Sequence, residues 1–345
     1  MSQAAKEIRV AGAYNQLVGP DKISPMGDYS IEISVGGKWV RVPALPAQGQ
    51  NIITVGKIVR MAIIHDEEWL ETEVADPEAC VKELKRRDRH GVFADIFTFT
   101  QKPPATTPRY GYPSELDSIA AARTTSFKEW WESLPQETRK NVRRSQKRGV
   151  VVAVKPFNDE LVQGIAEVNN ESPLRQGRAN KHCGKSLDLV RKDHESFAGR
   201  SDFVCAYLDR ELIGYLKIVY RGGVASILNI VAKTCHHDKR PSNALLAKAM
   251  ELCEAKGLSH LIYGKYHYGN KRHSPLLDFK IRHGFHEILI PRYYVSLTGW
   301  GALCVKLKLH RGFVGMLPPS IIEMGLKARA RCHHAWNRWA GVAQW

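Results

Sequence analysis

The sequence predicts an α/β fold of the α+β kind, a mixed, mostly antiparallel sheet flanked by helices and joined to a second, smaller companion domain. Three observations lead there. Residues 200–296 read β-β-β-α-β-α-β, the first three strands joined by Asp209-Arg210-Glu211 and Arg221-Gly222-Gly223, as in an antiparallel meander. The first quarter reads as strands separated by Gly and Pro. The 345 residues, at about 150 per domain, suggest two units. The predicted division is a companion domain at 1–149, a main domain at 150–296 and a tail at 297–345.

Each element has a local reason. Residues 29–35 alternate apolar and polar, Gly36-Gly37 turns the chain and 39–42 return, which describes a hairpin. A strand follows at 58–64. Residues 77–87 read as a helix, with Asp76 as its cap, Pro77 at the first position and Lys85, Arg86 and Arg87 in the last turn. Gly91 stops it, and the aromatic and β-branched run 92–99 is a strand. Four prolines make 102–113 a loop. Residues 126–131 and 135–148 are helical; Ser133 and Gln136 have capping-box spacing and Gly149 closes the helix. A strand at 150–154, a helix at 158–168 and a basic loop at 172–186 precede the meander at 203–208, 212–220 and 224–232. A helix at 241–256, a strand at 260–263, a short helix at 275–283 and a strand at 285–295 complete the pattern.

Composition narrows the function classes. Lys+Arg number 51 against 35 Asp+Glu, a formal net charge of +16, which implies an anionic partner: tRNA, a nucleotide-linked substrate, a coenzyme with phosphates or an acidic membrane surface. Seven cysteines, none in a C-x-x-C pair, make neither a disulfide framework nor a zinc ribbon. No apolar run is long enough to span a bilayer, and residues 1–15 lack a signal-peptide core, so the expectation is a cytoplasmic protein, with peripheral membrane contact open to its tail.

Four groups of residues stand out chemically. In the helix at about 133–149, Arg139, Arg143 and Lys147 recur at i, i+4, i+8 beside a second row of Lys140, Arg144 and Arg148. Such a face is either solvated or seated on a polyanion; Trp130 and Trp131 just before it favour the polyanion, since aromatics beside cations suit phosphate plus base stacking. Lys239, Arg240, Ser242 and Asn243 open a helix straight after a strand, where free N–H groups and the helix dipole attract anions. Arg175 and Arg178, with Lys181 and Lys185, lie in a Gly-containing loop suited to an anionic acceptor or simply to water. Tyr263, Tyr266 and Tyr268 follow the fifth strand of the main domain, where packing and proton donation are both open to them. Cys235-His236-His237 and Cys332-His333-His334 are too tightly spaced to converge on one metal ion, so no metal is expected. The tail carries an interrupted stripe of Ile321, Ile322, Leu326, Trp336 and Trp339, read as docking on the first domain or on a membrane.

The element order resembles the acyltransferase fold of the GNAT superfamily, and four segments carry a closer likeness. These are 130–150 (Trp-Trp-Glu-Ser-Leu-Pro through the basic helix), 94–101 (Ala-Asp-Ile-Phe-Thr-Phe-Thr-Gln), 240–264 from Arg240-Pro241-Ser242-Asn243, and Phe279-Lys280-Ile281-Arg282-His283-Gly284-Phe285. They fall in the order seen in Fem-type peptidoglycan aminoacyltransferases, which the chain resembles over about 90–296. The resemblance implies acyl or aminoacyl transfer to an amine in a ternary complex, with no bound cofactor. Acyl-CoA, acyl-carrier protein or aminoacyl-tRNA would be the donor, and an amino sugar or another cell-envelope precursor the acceptor. It places the oxyanion-stabilising cation on Lys280, in the pair Phe279-Lys280, with Asp278 as its neighbour and possible proton acceptor. GNAT enzymes hold coenzyme A pyrophosphate at a Q/R-x-x-G-x-G/A turn; here Arg240 is kept while Asn243 and Leu245 stand at the glycine positions. The competing class is an RNA- or anionic-glycan-binding protein that keeps the fold without catalysis.

Overall fold

A computed structural model describes residues 29–35, 38–66, 70–86, 92–175, 178–268 and 274–311. One twelve-stranded sheet runs through it. The amino-terminal strands are β1 (Ser30–Val35), β2 (Lys38–Ala47), β3 (Gln50–Val55), β4 (Met61–Ile64), β5 (Ile96–Thr100) and β6 (Ser114–Arg123). After β7 (Val150–Lys155) and the small ribbon β8 (Leu174–Arg175) and β9 (Arg178–Ala179) come β10 (Ser201–Leu208), β11 (Glu211–Arg221), β12 (Val224–Ala232), β13 (His260–Lys265) and β14 (His286–Ser296). The order across the main sheet is β1-β2-β3-β4-β5-β14-β6-β13-β12-β11-β10-β7. Most neighbours are antiparallel, while β12–β13 and β4–β5 are parallel.

The expected boundary near 149 does not coincide with a break in this sheet. Strand β6, on its amino-terminal side, pairs antiparallel with both β13 and β14 and joins the two halves. The sequence reading leaves this strand unassigned. Its centre, Ile119-Ala120-Ala121-Ala122, is almost fully buried, and alanine carries little strand preference of its own. Burial between two partner strands makes it a strand. The strand at Gln50–Val55 and the helix at Leu187–His194 are likewise absent from the sequence reading.

The helices are α1 (Pro77–Lys85), α2 (Phe127–Ser133), α3 (Gln136–Lys147), α4 (Asp159–Asn170), α5 (Leu187–His194), α6 (Pro241–Ala255), α7 (Pro275–Arg282) and α8 (Gly299–Lys306). Asp76 caps α1 as expected, accepting from the Ala79 N–H at 2.9 Å. The capping box of α3 does not form. Pro135 occupies the cap position, and the Ser133 hydroxyl donates instead to the Trp130 carbonyl at 2.7 Å. Helices α2, α3 and α6 bury Trp130, Leu134, Val142, Leu245 and Met250 against one face of the sheet. Helices α4 and α5 cover the other with Leu161, Ile165 and Val190 against Phe203 and Tyr215. In the tail, α8 packs on β5 and β14, and Gly301 lies so close to the Asp95 carbonyl that a Cβ would sit 1.9 Å from its oxygen. The predicted stripe from Ile321 to Trp339 and the Cys332-His333-His334 cluster lie outside the described residues. Among the described residues no helix is long and apolar enough to cross a membrane.

Candidate active site where two parallel strands part

Strands β12 and β13 run together for only three residues, Val224–Ser226 against His260–Ile262. Both then carry an extra residue. On β12 the register with β11 slips between Ile227 and Asn229, leaving Leu228 unmatched. On β13, Tyr263 and Gly264 together face one residue of β6, and Gly264 takes φ +62°. A bulge bends its strand, and a left-handed residue there is easiest as glycine. Two bulges at one level turn the strands apart and end the β12–β13 pairing.

Lys280 meets β13 just beyond its bulge. Its side chain is 0 % exposed, and its Nζ donates to the Lys265 carbonyl, at the end of β13, at 2.6 Å. The rings of Tyr263 and Tyr268 lie 4.8 and 4.7 Å from the nitrogen. Burial lowers the ammonium pKa to about 8, which leaves it mostly protonated at neutral pH. A desolvated cation of this kind acts far more strongly on nearby negative charge than one in water.

The helix that presents Lys280 is pinned at its end. Trp130 Nε1 donates to the His283 carbonyl at 3.0 Å, and Gly284, at φ +77°, leaves room for that indole. His283 is buried, which drives its pKa down to about 4 and keeps the ring neutral. Its Nδ1 faces the Phe279 carbonyl at 2.7 Å and must be the protonated nitrogen, since a carbonyl only accepts. Its Nε2 therefore accepts from the Asn243 side-chain amide at 2.9 Å. A side chain at the start of α6 thus locks the turn that carries Lys280, across 40 residues of sequence.

The other predicted site residues fall into two groups. Phe279 packs partly buried beside His283, with ring centroids 4.1 Å apart, whereas Asp278 is exposed on the first turn of α7 while the Lys280 ammonium is fully buried. Tyr263 lies tilted against Phe285, ring centroids 5.7 Å apart, and faces Lys280; Tyr266 is tied by its backbone N–H to the Ser118 carbonyl. At the head of α6, Arg240 is exposed at φ +58°, Ser242 is half-buried, and Lys239 pairs with Asp238 at 2.7 Å. Arg148 reaches the same Asp238 at 3.3 Å, which ties the end of the basic helix α3 to the turn before α6.

On α3, Arg143 covers the Trp131 ring at 5.6 Å, Arg144 bonds Asn141, Lys147 is exposed and Arg139 is half-buried. Trp130, expected beside the cations as a stacking platform, is instead a core residue, 6 % exposed. Arg175 turns back to the Val168 carbonyl at 2.6 Å, near the end of α4, while the β8–β9 ribbon pairs it through the backbone with Arg178. Around Cys235 the backbone N–H is held by Glu171 and His236 bonds Glu211. Among the described residues no three metal-ligating side chains gather.

No protein-family model and no curated protein sequence matches the chain. Its fold is Fem-like. It is similar to the crystal structure of FemX, with 11% identity, 77% of this chain and 88% of that chain covered, and a TM-score of 0.52. Looser overlaps join it to the C-terminal domain of a putative lysylphosphatidylglycerol synthetase from Agrobacterium fabrum (13% identity, 79% and 90% covered, TM-score 0.49) and to L-PGS from Bacillus licheniformis (16%, 77% and 86%, 0.46).

Proposed function

We propose that the chain is an N-acyltransferase that passes an acyl or aminoacyl group to an amine by direct attack, with donor and acceptor bound together. The observation that carries this reading is the buried Lys280 ammonium at the point where β12 and β13 separate. The amine nitrogen attacks the donor carbonyl there and the carbonyl oxygen gains negative charge. Lys280 stabilises that oxyanion until the carbonyl re-forms and the bond to the donor's oxygen or sulfur breaks, the leaving atom taking up, directly or through water, the proton that the attacking nitrogen gives up. A preorganised charge aimed at a developing oxyanion typically contributes more to such catalysis than any other single effect.

The donor in this reading is aminoacyl-tRNA. Pyrophosphate binding at a GNAT turn needs backbone unobstructed by side chains, whereas Asn243 is engaged with His283 and Leu245 is buried in the core. The number of exposed cations on α3 (Arg143, Lys147, Arg148) and at Arg240, with the end of α3 tied to the turn at Asp238, favours a long polyanion over a single pyrophosphate. The acceptor is an amine on a cell-envelope precursor such as an amino sugar.

The test uses hydroxylamine as a minimal amine and measures hydroxamate formed from aminoacyl-tRNA and from acyl-CoA. Hydroxamate from charged tRNA, falling steeply with salt, is expected. Hydroxamate from acyl-CoA alone would replace the donor. Tight binding of charged and uncharged RNA alike, with no transfer from either donor, would leave a binding protein on an acyltransferase fold.

A further inference from the structure

Helix α8 is seated tightly on the sheet yet leaves large apolar side chains in water. Gly301 fits against the Asp95 carbonyl, Cys304 is fully buried, and the Thr298 hydroxyl both caps the helix and donates to the Asp95 carboxylate at 3.2 Å. Trp300, Leu303 and Leu307, spaced i, i+3 and i+7, lie away from this contact, each 44–54 % exposed. The turn between β3 and β4 stands beside them, because Trp300 Nε1 donates to the Ile58 carbonyl at 3.2 Å. That turn requires glycine at Gly56, φ +91°, where a Cβ would sit 2.2 Å from the Val59 carbonyl oxygen. Ile58 in this turn is 82 % exposed.

The charge around these side chains has one sign. Segments 56–60 and 299–311 contain Lys57, Arg60, Lys306, Lys308 and Arg311 and no Asp or Glu. Arg60 pairs with Asp95 at 3.1 Å and Arg311 with Glu115 at 2.7 Å, so those two charges are neutralised within the fold. Lys57, Lys306 and Lys308 are exposed and have no carboxylate partner among the described residues. Exposed apolar side chains are ordinarily scattered singly. Here Ile58 and Trp300 are fixed to each other, Leu303 and Leu307 continue along the helix, and a lysine precedes Ile58 and flanks Leu307 on both sides. A half-exposed tryptophan with its N–H bonded, beside aliphatic side chains and unpaired ammonium groups, suits the headgroup region of an anionic bilayer. A protein partner would need a matching pocket and carboxylates in register with the lysines, whereas a bilayer deforms around apolar tips and carries its charge everywhere.

We infer that α8 and the β3–β4 turn form a docking face for an anionic membrane surface. Ile58, Trp300, Leu303 and Leu307 enter the boundary between headgroups and acyl chains, and Lys57, Lys306 and Lys308 meet the lipid phosphates. The contact is peripheral and reversible, since it rests on a few side chains rather than on a spanning segment. Each lysine held near the charged surface strengthens binding about fivefold, and salt weakens that part. This docking does not depend on the transfer reading, because it uses none of the residues placed around Lys280.

The experiment sediments the full chain with vesicles of equimolar phosphatidylglycerol and phosphatidylcholine, and with vesicles of phosphatidylcholine alone. Binding to the first should be salt-sensitive, and binding to the second at least about tenfold weaker. Lys306→Gln should weaken binding about fivefold. Ile58→Glu combined with Leu303→Glu changes two exposed positions and leaves the core intact, and it should reduce binding to background. Brominated phosphatidylcholine should quench the Trp300 indole, and Trp300→Phe should remove most of that quenching. Lys280→Met should bind vesicles as the wild type does, so this docking and the transfer reading fail separately. The docking face is refuted if neither vesicle is bound, if the double Glu variant binds normally, or if quenching persists in Trp300→Phe. It is equally refuted if Arg143→Gln with Lys147→Gln loses more binding than the double Glu variant, which would assign the lipid contact to α3. A wild type that ignores vesicles but forms a dimer dissolved by the double Glu variant would make the face an interface between copies instead.

Discussion

Replacing Lys280 by methionine gives a stability difference whose pH dependence is set by the structure. Methionine keeps an unbranched chain of similar reach and removes the charge. The ammonium pKa falls on burial from 10.5 to about 8. In the unfolded chain the same lysine titrates at its ordinary value. Between those two pKa values the unfolded state binds more protons than the native state, so this group makes stability rise with pH. Below pH about 8 both states hold the proton, and the cost of burying the charge is constant. At ~1.36 kcal/mol per tenfold change in equilibrium, the wild type should gain about 2 kcal/mol on Lys280→Met between pH 7.5 and pH 10. The Lys265 carbonyl left without the ammonium costs the variant a similar amount at each pH, so it drops out of that change. Urea unfolding of both proteins at pH 7.5, 9 and 10 measures it. Two curves that stay parallel over this range would show that the Lys280 ammonium is not a desolvated cation, and the electrostatic argument built on it would fall.

Three further outcomes follow from the packing. Trp130→Phe keeps a ring in the core but strands the His283 carbonyl, so it should destabilise by about 1–3 kcal/mol in urea, with no change in secondary structure by circular dichroism. Gly301→Ala forces a methyl group onto the Asp95 carbonyl and should cost about 1–3 kcal/mol or more, whereas Gly299→Ala, with nothing within 4 Å, should cost much less. The His283 ring should remain neutral, protonated on Nδ1, down to about pH 4 by nitrogen-15 NMR. In Asn243→Ala its Nε2 should lose the shift signature of a hydrogen-bonded acceptor.

Legibility in the sequence followed how local each cause is. The meander and the helices around 241–256 and 275–283 were readable because turn residues and apolar periodicity sit within each segment. Strand β6 was not, because Ala120, Ala121 and Ala122 become a strand only through β13 and β14, far along the chain. Ser133 and Gln136 looked like a capping box, but Pro135 between them takes the cap position. Lys280 was visible only through a family resemblance, since a Lys beside a Phe on a short helix has no signature of its own. What makes it chemically unusual is the Lys265 carbonyl and the two tyrosine rings, on backbone bent by bulges that no motif announces. The Asn243–His283 link joins segments 40 residues apart, and only the fold brings them together.

The central claim is that Lys280 stabilises the oxyanion of acyl transfer, and the pH–rate profile of hydroxamate formation tests it most directly. Wild type should lose rate above pH about 8 with the release of one proton. Lys280→Met, if shown to be folded, should be slower by roughly 10²–10³-fold and lack that descending limb. A folded Lys280→Met that turns over at the wild-type rate with the same profile would contradict the account.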